Sequence, residues 1–492
     1  MLFLSLIYYL ITIIFIYFLP FPSKPKTSMK KNISRRSALK NLAIGLGGVT
    51  LAGSAISSMA KEPTKSIPFK SMGNKDFDKP ITAITLGAGA RGNVYGNYAA
   101  KYPNELNIVG TAEPIPIRKE RYAKKHNIKD ENLFVTWEHV FEKPKFADAV
   151  IITTPDDLHY GPCMKALEMG YDVLLEKPIS PSEEECQDIL NLAKKTGRIV
   201  AVCHVLRYAP YFIQLKKVVD SGVLGELMSV QHLEPIQFEH MAHSYVRGNW
   251  HNSKETTPII LGKSCHDLDI LRWIIDKPCK SIAAYGDLKW FHKGNAPEGS
   301  TARCTDGCAV EKDCPYSALN IYYRKGHWTY VLDLPDDKSK HQEYVLSKLK
   351  TTNYGRCVYR MDNDQPDHYV TSMEFEGGIT ANFSMEAFTS YHGRRTRIMG
   401  SHGDIVGDMH EFTHTDFLTG KVEKWSMDDY EAEHKNSGHG GGDWALVSDW
   451  VDAIKAQDAS LLTSTIDASI ESHIMGFKAE ISRKGDKKVR LS

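Results

Sequence analysis

Lys177 lies in the run Leu174-Leu175-Glu176-Lys177-Pro178, and His266 lies in Ser264-Cys265-His266-Asp267-Leu268-Asp269. Lysine and histidine are both side chains that can exchange a proton with a substrate hydroxyl. Upstream, Gly87-Ala88-Gly89-Ala90-Arg91-Gly92 spells G-x-G-x-x-G. Glycines at that spacing let a backbone turn tightly and approach a pyrophosphate, with the next helix N-terminus facing the anion. Glu113 follows about 20 residues later, where an acid accepts a ribose hydroxyl and repels a 2′-phosphate. The pattern favours NAD, with NADP as the alternative because Arg118 stands close by. Against these readings stand plainer ones: a surface acid at 113, and an exposed strand-end lysine at 177.

Chemistry at that spacing needs a scaffold. Ile81 to Leu86 is a β-branched run leading into the glycines, and a helical stretch follows to about Lys101. Further strands are expected over Leu106–Ala112, Leu133–Trp137, Ala149–Thr154, Val173–Leu175 and Ile199–Cys203. Ser180-Pro181-Ser182-Glu183 reads as a capping box, and its helix should stop at Gly197. This alternation predicts an α/β Rossmann domain over residues 80–205, with a parallel sheet covered on both faces. Ligands of such sheets sit at the carboxyl ends of the strands. The candidate cofactor-binding residues are therefore Gly87, Gly89, Arg91, Gly92, Glu113, Arg118, Thr154, Pro155, Asp156, His159, Glu176 and Lys177.

From residue 206 to 492 the texture changes to longer alternating runs. Met373–Phe375 and Ile379–Met385 flank Glu376-Gly377-Gly378, a hairpin signal. Met228–Leu233, Ser281–Trp290 and Thr396–Met399 add strands. An α+β domain with an open, mostly antiparallel sheet is expected, one face over the cleft and the other free to pair in a homo-oligomer. Side chains suited to a sugar are Arg207, Tyr208, Tyr245, Arg247, Trp250, His439 and Asp443, because sugars offer both hydroxyl edges and apolar faces. Cys304, Cys308 and Cys314, with Cys357 downstream, admit a disulfide, a metal site or free thiols. No catalytic role is assigned to them, and no metal is expected.

The 492 residues carry a net charge of +1, with no basic stripe of the kind that marks nucleic-acid binding. Residues 29–60 open with lysines, carry Arg35-Arg36, run through a Gly-rich apolar stretch and reach Ser58-Met59-Ala60. That order is similar to a twin-arginine signal, an address for the export machinery that moves folded proteins. An ordinary signal peptide is the alternative. Residues 1–28 are an apolar extension whose stretch Leu2–Leu19 is roughly long enough to span a bilayer as a membrane anchor, or an over-extended start with Met29 as the initiator. Residues 61–79 read as a linker.

The glycine turn, Thr153-Thr154-Pro155-Asp156-Asp157-Leu158-His159, Leu174 to Pro178, Val205 to Pro210 and Ser221 to Leu227 together resemble the Gfo/Idh/MocA oxidoreductases over roughly residues 80 to 480. The resemblance implies that Lys177 lies beside the nicotinamide and the reacting carbon. It also implies a D-x-x-x-H-x-x-D motif, which His266 and Asp269 match, while Gly262 stands where the family has its leading acid and Lys263 follows it. On these grounds Lys177 and His266 are the candidate catalytic residues. Arg207, Lys263, His266, Asp269, His439 and Asp443 are the candidate substrate residues.

The activity implied is hydride transfer between a sugar or cyclitol hydroxyl and a tightly bound NAD(P). A glycosidase that oxidises, eliminates and re-reduces a glycoside is the alternative, and a non-catalytic sugar-binding relative is the third reading. An exported, periplasmic enzyme has no free NAD pool to draw on, so tight cofactor retention goes with the signal reading; without the signal the chain is cytoplasmic.

Overall fold

The run Ile81–Leu86 forms β1 and is almost wholly buried, as strands covered on both faces must be. Leu106–Ala112 (β2), Leu133–Phe134 (β3), Ala149–Ile152 (β4), Asp172–Leu175 (β5) and Val200–Val202 (β6) join it in a parallel sheet ordered β3-β2-β1-β4-β5-β6. The helices that cross between them include Ala90–Lys101 (α1), Pro116–His126 (α2), Tyr160–Glu168 (α3) and Glu183–Thr196 (α4). This computed structural model describes residues 78–429 and 437–491. The apolar extension, the signal-like segment and nearly all of the linker lie outside the described residues.

Local details depart from the sequence reading where side chains found other partners. The strand expected over Leu133–Trp137 stops at Phe134, and a short helix over Trp137–Phe141 takes its place. The cap of α4 is Ser182, whose hydroxyl accepts from the Glu185 amide at 3.3 Å; Ser180 instead donates to the Glu185 carboxylate. Gly197, at φ 64°, ends that helix as expected.

After Pro210–Asp220 (α5), nine strands form a second, mixed sheet: Leu227–Pro235 (β7), Cys279–Asp287 (β8), His368–Phe375 (β9), Thr380–Glu386 (β10), Arg395–Gly400 (β11), Gly403–Gly407 (β12), Glu411–Asp416 (β13), Val422–Ser426 (β14) and Val489–Arg490 (β15). Every pair in it is antiparallel except β7 with β10. The Glu376–Gly378 turn joins β9 to β10 in the expected hairpin. The inner face packs with Cys265–Ile275 (α6) in one large hydrophobic cluster that includes Val230, Ile282, Phe383 and Leu271.

Two features were hidden in the linear reading. Between β8 and β9, which pair side by side, residues 288–367 leave the sheet and build a small core of their own from Ala318, Ile321, Tyr322, Leu332, Val345 and Leu349. That excursion contains the helix His341–Thr351 (α7). Arg247, a sugar candidate, is buried and holds it by donating to the carbonyls of Arg356 (2.8 Å) and Tyr316 (2.7 Å). In addition, Gly442–Ala456 (α8) returns to the first sheet, where Leu446, Trp450 and Val451 share a core with Ala83, Tyr95 and Tyr98. The chain's last helix, Ile466–Gly485 (α9), is capped by Thr465. The first core is thus completed by residues that the sequence assigns to the second domain.

Candidate active site

Gly87 takes φ +91°, and a Cβ there would sit 2.6 Å from the Thr153 carbonyl oxygen. A Cβ on Gly92 would meet the Gly87 oxygen at 2.2 Å. Over Gly89 the space is open, the nearest atom being Arg118 Nη1 at 3.9 Å, and no side chain caps the start of α1. This backbone cradle, with free amides at a helix start, fits a dinucleotide pyrophosphate. Glu113 is buried at the end of β2 and accepts from the amides of Ala88 (2.8 Å) and Ile115 (2.9 Å), which ties the ribose-binding position to the glycine turn.

At the end of β5, Glu176 is buried and accepts from Arg91 Nε (2.5 Å), Tyr95 hydroxyl (2.6 Å) and the Lys177 amide (2.9 Å). Burial would raise its carboxyl, but Arg91 first and Lys177 second outweigh that and hold it below the usual carboxylate value. Arg91 also donates to both oxygens of Asp443 (2.9 and 3.3 Å), and Asp443 meets His439 Nδ1 at 3.0 Å. Burial likewise works against the Asp443 charge; His439 and Arg91 overcome it and keep that carboxyl low.

Lys177 Nζ donates to the Gly262 carbonyl at 2.7 Å and lies 5.7 Å from the Trp250 ring centre. Gly262 is the position where the family acid is missing. A Cβ there would lie 3.4 Å from Trp250 Cδ1, an ordinary van der Waals contact, so the indole flanks this position. The indole is held in turn by Asp156, which accepts from Trp250 Nε1 (2.9 Å) and the Thr257 hydroxyl (2.8 Å). Lys177 therefore meets a main-chain oxygen and an aromatic face at this position.

His266 belongs to a file of imidazoles. Its ring lies 5.6 Å from His439 and 6.0 Å from His204, and His204 lies 5.2 Å from His473. Burial, then the nearby Lys177 charge, pushes His266 well below the ordinary histidine value, so it is a neutral imidazole. Its Nδ1 and both nitrogens of His204 are buried without a hydrogen-bond partner among the described residues. His473 accepts from the Ile179 amide at 3.0 Å, which braces the segment just after Lys177.

The other nominated residues fall elsewhere. Arg207 and Asp269 are both buried and pair with each other at 2.6 and 2.7 Å; Arg207 also donates to the Thr463 and Ala468 carbonyls. As substrate ligands they are corrected to an internal brace, because their polar atoms are already matched. Lys263 turns to Glu234 (3.3 Å), which also meets Arg394 (2.8 Å). His159 is buried between the carbonyls of Pro178 (2.7 Å) and Thr154 (3.0 Å), and so joins the Thr154-Pro155 turn to the Lys177 segment. Asp156 is buried, and its Oδ2 anchors Trp250 and Thr257. Tyr208 bonds Ser464 inside the protein, and Tyr245 is buried. Cys304, Cys308, Cys314 and Cys357 are free thiols lining one small cavity beside Arg247.

Sequence reasoning missed Tyr95, His204, His473 and the anchoring of Trp250. The spacing of Arg91 and Tyr95, one helical turn apart, was a usable signal; the distant histidines had none.

Residues 81–204 match the NAD-binding Rossmann-fold domain of the Gfo/Idh/MocA oxidoreductase family, and residues 216–489 match its C-terminal alpha/beta domain. Among curated proteins, YteT of Bacillus subtilis is 26% identical over 315 residues, covering 61% of this chain and 71% of YteT. The inositol 2-dehydrogenase/D-chiro-inositol 3-dehydrogenase of Lactiplantibacillus plantarum is 27% identical over 212 residues, covering 43% of this chain and 57% of that enzyme. The match thus spans little more than half of the enzyme's length. An inositol dehydrogenase homolog from Azotobacter vinelandii, solved with NAD+, superposes with a TM-score of 0.62 at 17% identity, covering 86% of this chain and 100% of that one.

Proposed function

The chain belongs to the Gfo/Idh/MocA oxidoreductase family, and from that premise we propose that it moves a hydride between a ring hydroxyl of a sugar or cyclitol and NAD. The observation that carries the reading is Lys177, held at a strand end between the Gly262 carbonyl and the Trp250 face, close to a neutral His266. NAD on the glycine turn supplies the hydride acceptor. The protein's own residues supply position and proton management. As the free amine, Lys177 Nζ takes the hydroxyl proton while the C–H bond breaks, and as the ammonium it returns that proton in reverse. The Gly262 carbonyl fixes one N–H direction and leaves the rest of the amine for substrate. His266, neutral and braced in a file of rings, offers a nitrogen to the same or an adjacent hydroxyl. Trp250 gives an apolar wall that excludes water on one side. Glu176, Arg91 and Asp443 hold the lysine segment against α8, with His439 on the cleft side.

Export and assembly belong to the same proposal. Arg35-Arg36 before a Gly-rich apolar stretch supports carriage as a folded protein with NAD already in place. Tyr285, Val370 and Val406, exposed on the outer face of the second sheet, support pairing of two copies through that face. The test is made on protein purified without added nucleotide. Stoichiometric NAD(H), with free sugars or cyclitols changing its absorbance near ~340 nm, is the expected result. Release of an aglycone from glycosides with no net redox change would reassign the chemistry to lysis of glycosides.

A further inference from the structure

We propose that the 288–367 excursion is a clasp over the adenosine side of the dinucleotide site, and that its Asp333 makes the site select NAD against NADP. The inference rests on the NAD reading of the glycine turn and adds to it a determinant that lies outside the Rossmann domain.

Asp333 takes φ 53°, in the left-handed region, where an aspartate is tolerated. It follows Leu332, which is buried in the excursion's own core. Backbone and neighbour thus fix where the carboxylate points. It receives Arg118 Nε at 2.7 Å and Nη2 at 3.0 Å, a two-point pair. Arg118 sits in α2, just beyond Glu113, and its third nitrogen lies beside the open face of Gly89. A residue of the second domain therefore reaches the edge of the subsite formed by Glu113 and the glycine turn. The pairing is reinforced: burial works against the Arg118 charge, yet Asp333 first, then Glu113 and Tyr354, raise it above the ordinary arginine value. A second link lies one helical turn on. Arg121 Nη2 donates to the Leu334 carbonyl (2.7 Å) and to Asp336 (2.6 Å).

Two consequences follow. An arginine at this place meets a 2′-phosphate when it is free, but here two of its three nitrogens face a carboxylate. A 2′-phosphate would also lie near two acids, Glu113 and Asp333. Passage of the adenosine half in or out parts the Arg118–Asp333 pair, so the clasp slows release.

The test uses the full chain stripped of nucleotide. Affinities for NAD+ and NADP+ are read by tryptophan fluorescence, and release of bound NAD+ is read by a chase with excess ligand. Asp333→Asn is expected to shift the NADP+/NAD+ affinity ratio toward NADP+ by about tenfold and to speed NAD+ release by a similar factor. Arg118→Met, made from the other side of the pair, is expected to speed release without gaining NADP+ affinity. In the double variant, Asp333→Asn is expected to add nothing to the release rate of Arg118→Met. Wild-type protein that binds NAD+, with both single variants unchanged in ratio and release, would overturn the clasp alone. Wild-type protein that binds neither dinucleotide would overturn the cofactor reading and the clasp with it.

Discussion

Arg91 and Arg207 are each paired with a carboxylate through two or more nitrogens, and they serve opposite ends. Arg207 is 4% exposed; Asp269 and two main-chain carbonyls take its donors, and Asp269 in turn meets the Ser472 hydroxyl and lies 3.8 Å from buried His204 Nδ1. Arg91 is 28% exposed, and the carboxylates it holds reach further: Glu176 to the Lys177 amide and Asp443 to His439. The first is a brace between α6 and the segments 463–468. The second is a frame around reactive side chains. A buried ion pair contributes little net stability over an apolar replacement, yet removing one partner is costly. The difference between brace and frame therefore lies in what the carboxylate touches next.

Four experiments press on that contrast, in falling order of effect. Lys177→Ala should lower turnover by about a thousandfold with an unchanged melting temperature; full activity would empty the frame of its purpose. Arg207→Met should cost about 3–5 kcal/mol of unfolding free energy, seen in urea titration, with Arg207→Met/Asp269→Leu recovering much of it. A purely kinetic defect in Arg207→Met would instead return that residue to the substrate site.

The third experiment is a pH series. Burial, then His204, pushes His473 down to about 3, and burial pushes His204 and His266 well below the ordinary value. Their folded values lie below the unfolded one of about 6.5, so the unfolded chain binds protons first as pH falls. The stability is fully present above that pH and is lost progressively toward pH 3, by roughly 2 kcal/mol per histidine at pH 5. Urea midpoints at pH 7, 6 and 5 should fall in that order, and His473→Gln should flatten the slope. A flat profile in the wild type would mean that the imidazole file is not buried neutral. Last, His439→Ala should lower kcat/KM about tenfold, with a smaller loss of urea midpoint than Arg207→Met, since His439 is 34% exposed and Arg91 still pairs with Asp443.

The first domain was the more legible in sequence. Its strands are short, nearly all apolar and end in the residues that do chemistry, so period and punctuation coincide with function. The second was read in outline: the β9–β10 hairpin was plain, because Glu376-Gly377-Gly378 interrupts two alternating runs. The excursion at 288–367 was not, since it has few apolar residues at any regular spacing and its core forms only when distant turns meet. His439 and Asp443 could be nominated from residue type. Arg207 and Asp269 could be nominated on the same grounds, and residue type cannot tell a matched donor from an open one.

What the sequence by itself determined is what depends on near neighbours: the glycine turn, the acid at the end of β2, the lysine at the end of β5, and the alternation that brings all three to one sheet edge. Backbone sterics and side-chain periodicity act over a few residues, so they can be read from a string. Only the tertiary structure decided that Lys177 meets the Gly262 carbonyl and the Trp250 ring, that α8 completes the first core, and that Asp333 takes Arg118 from 215 positions away. Those outcomes turn on which polar groups are left unmatched once the core has closed, a competition among partners that are neighbours in space alone.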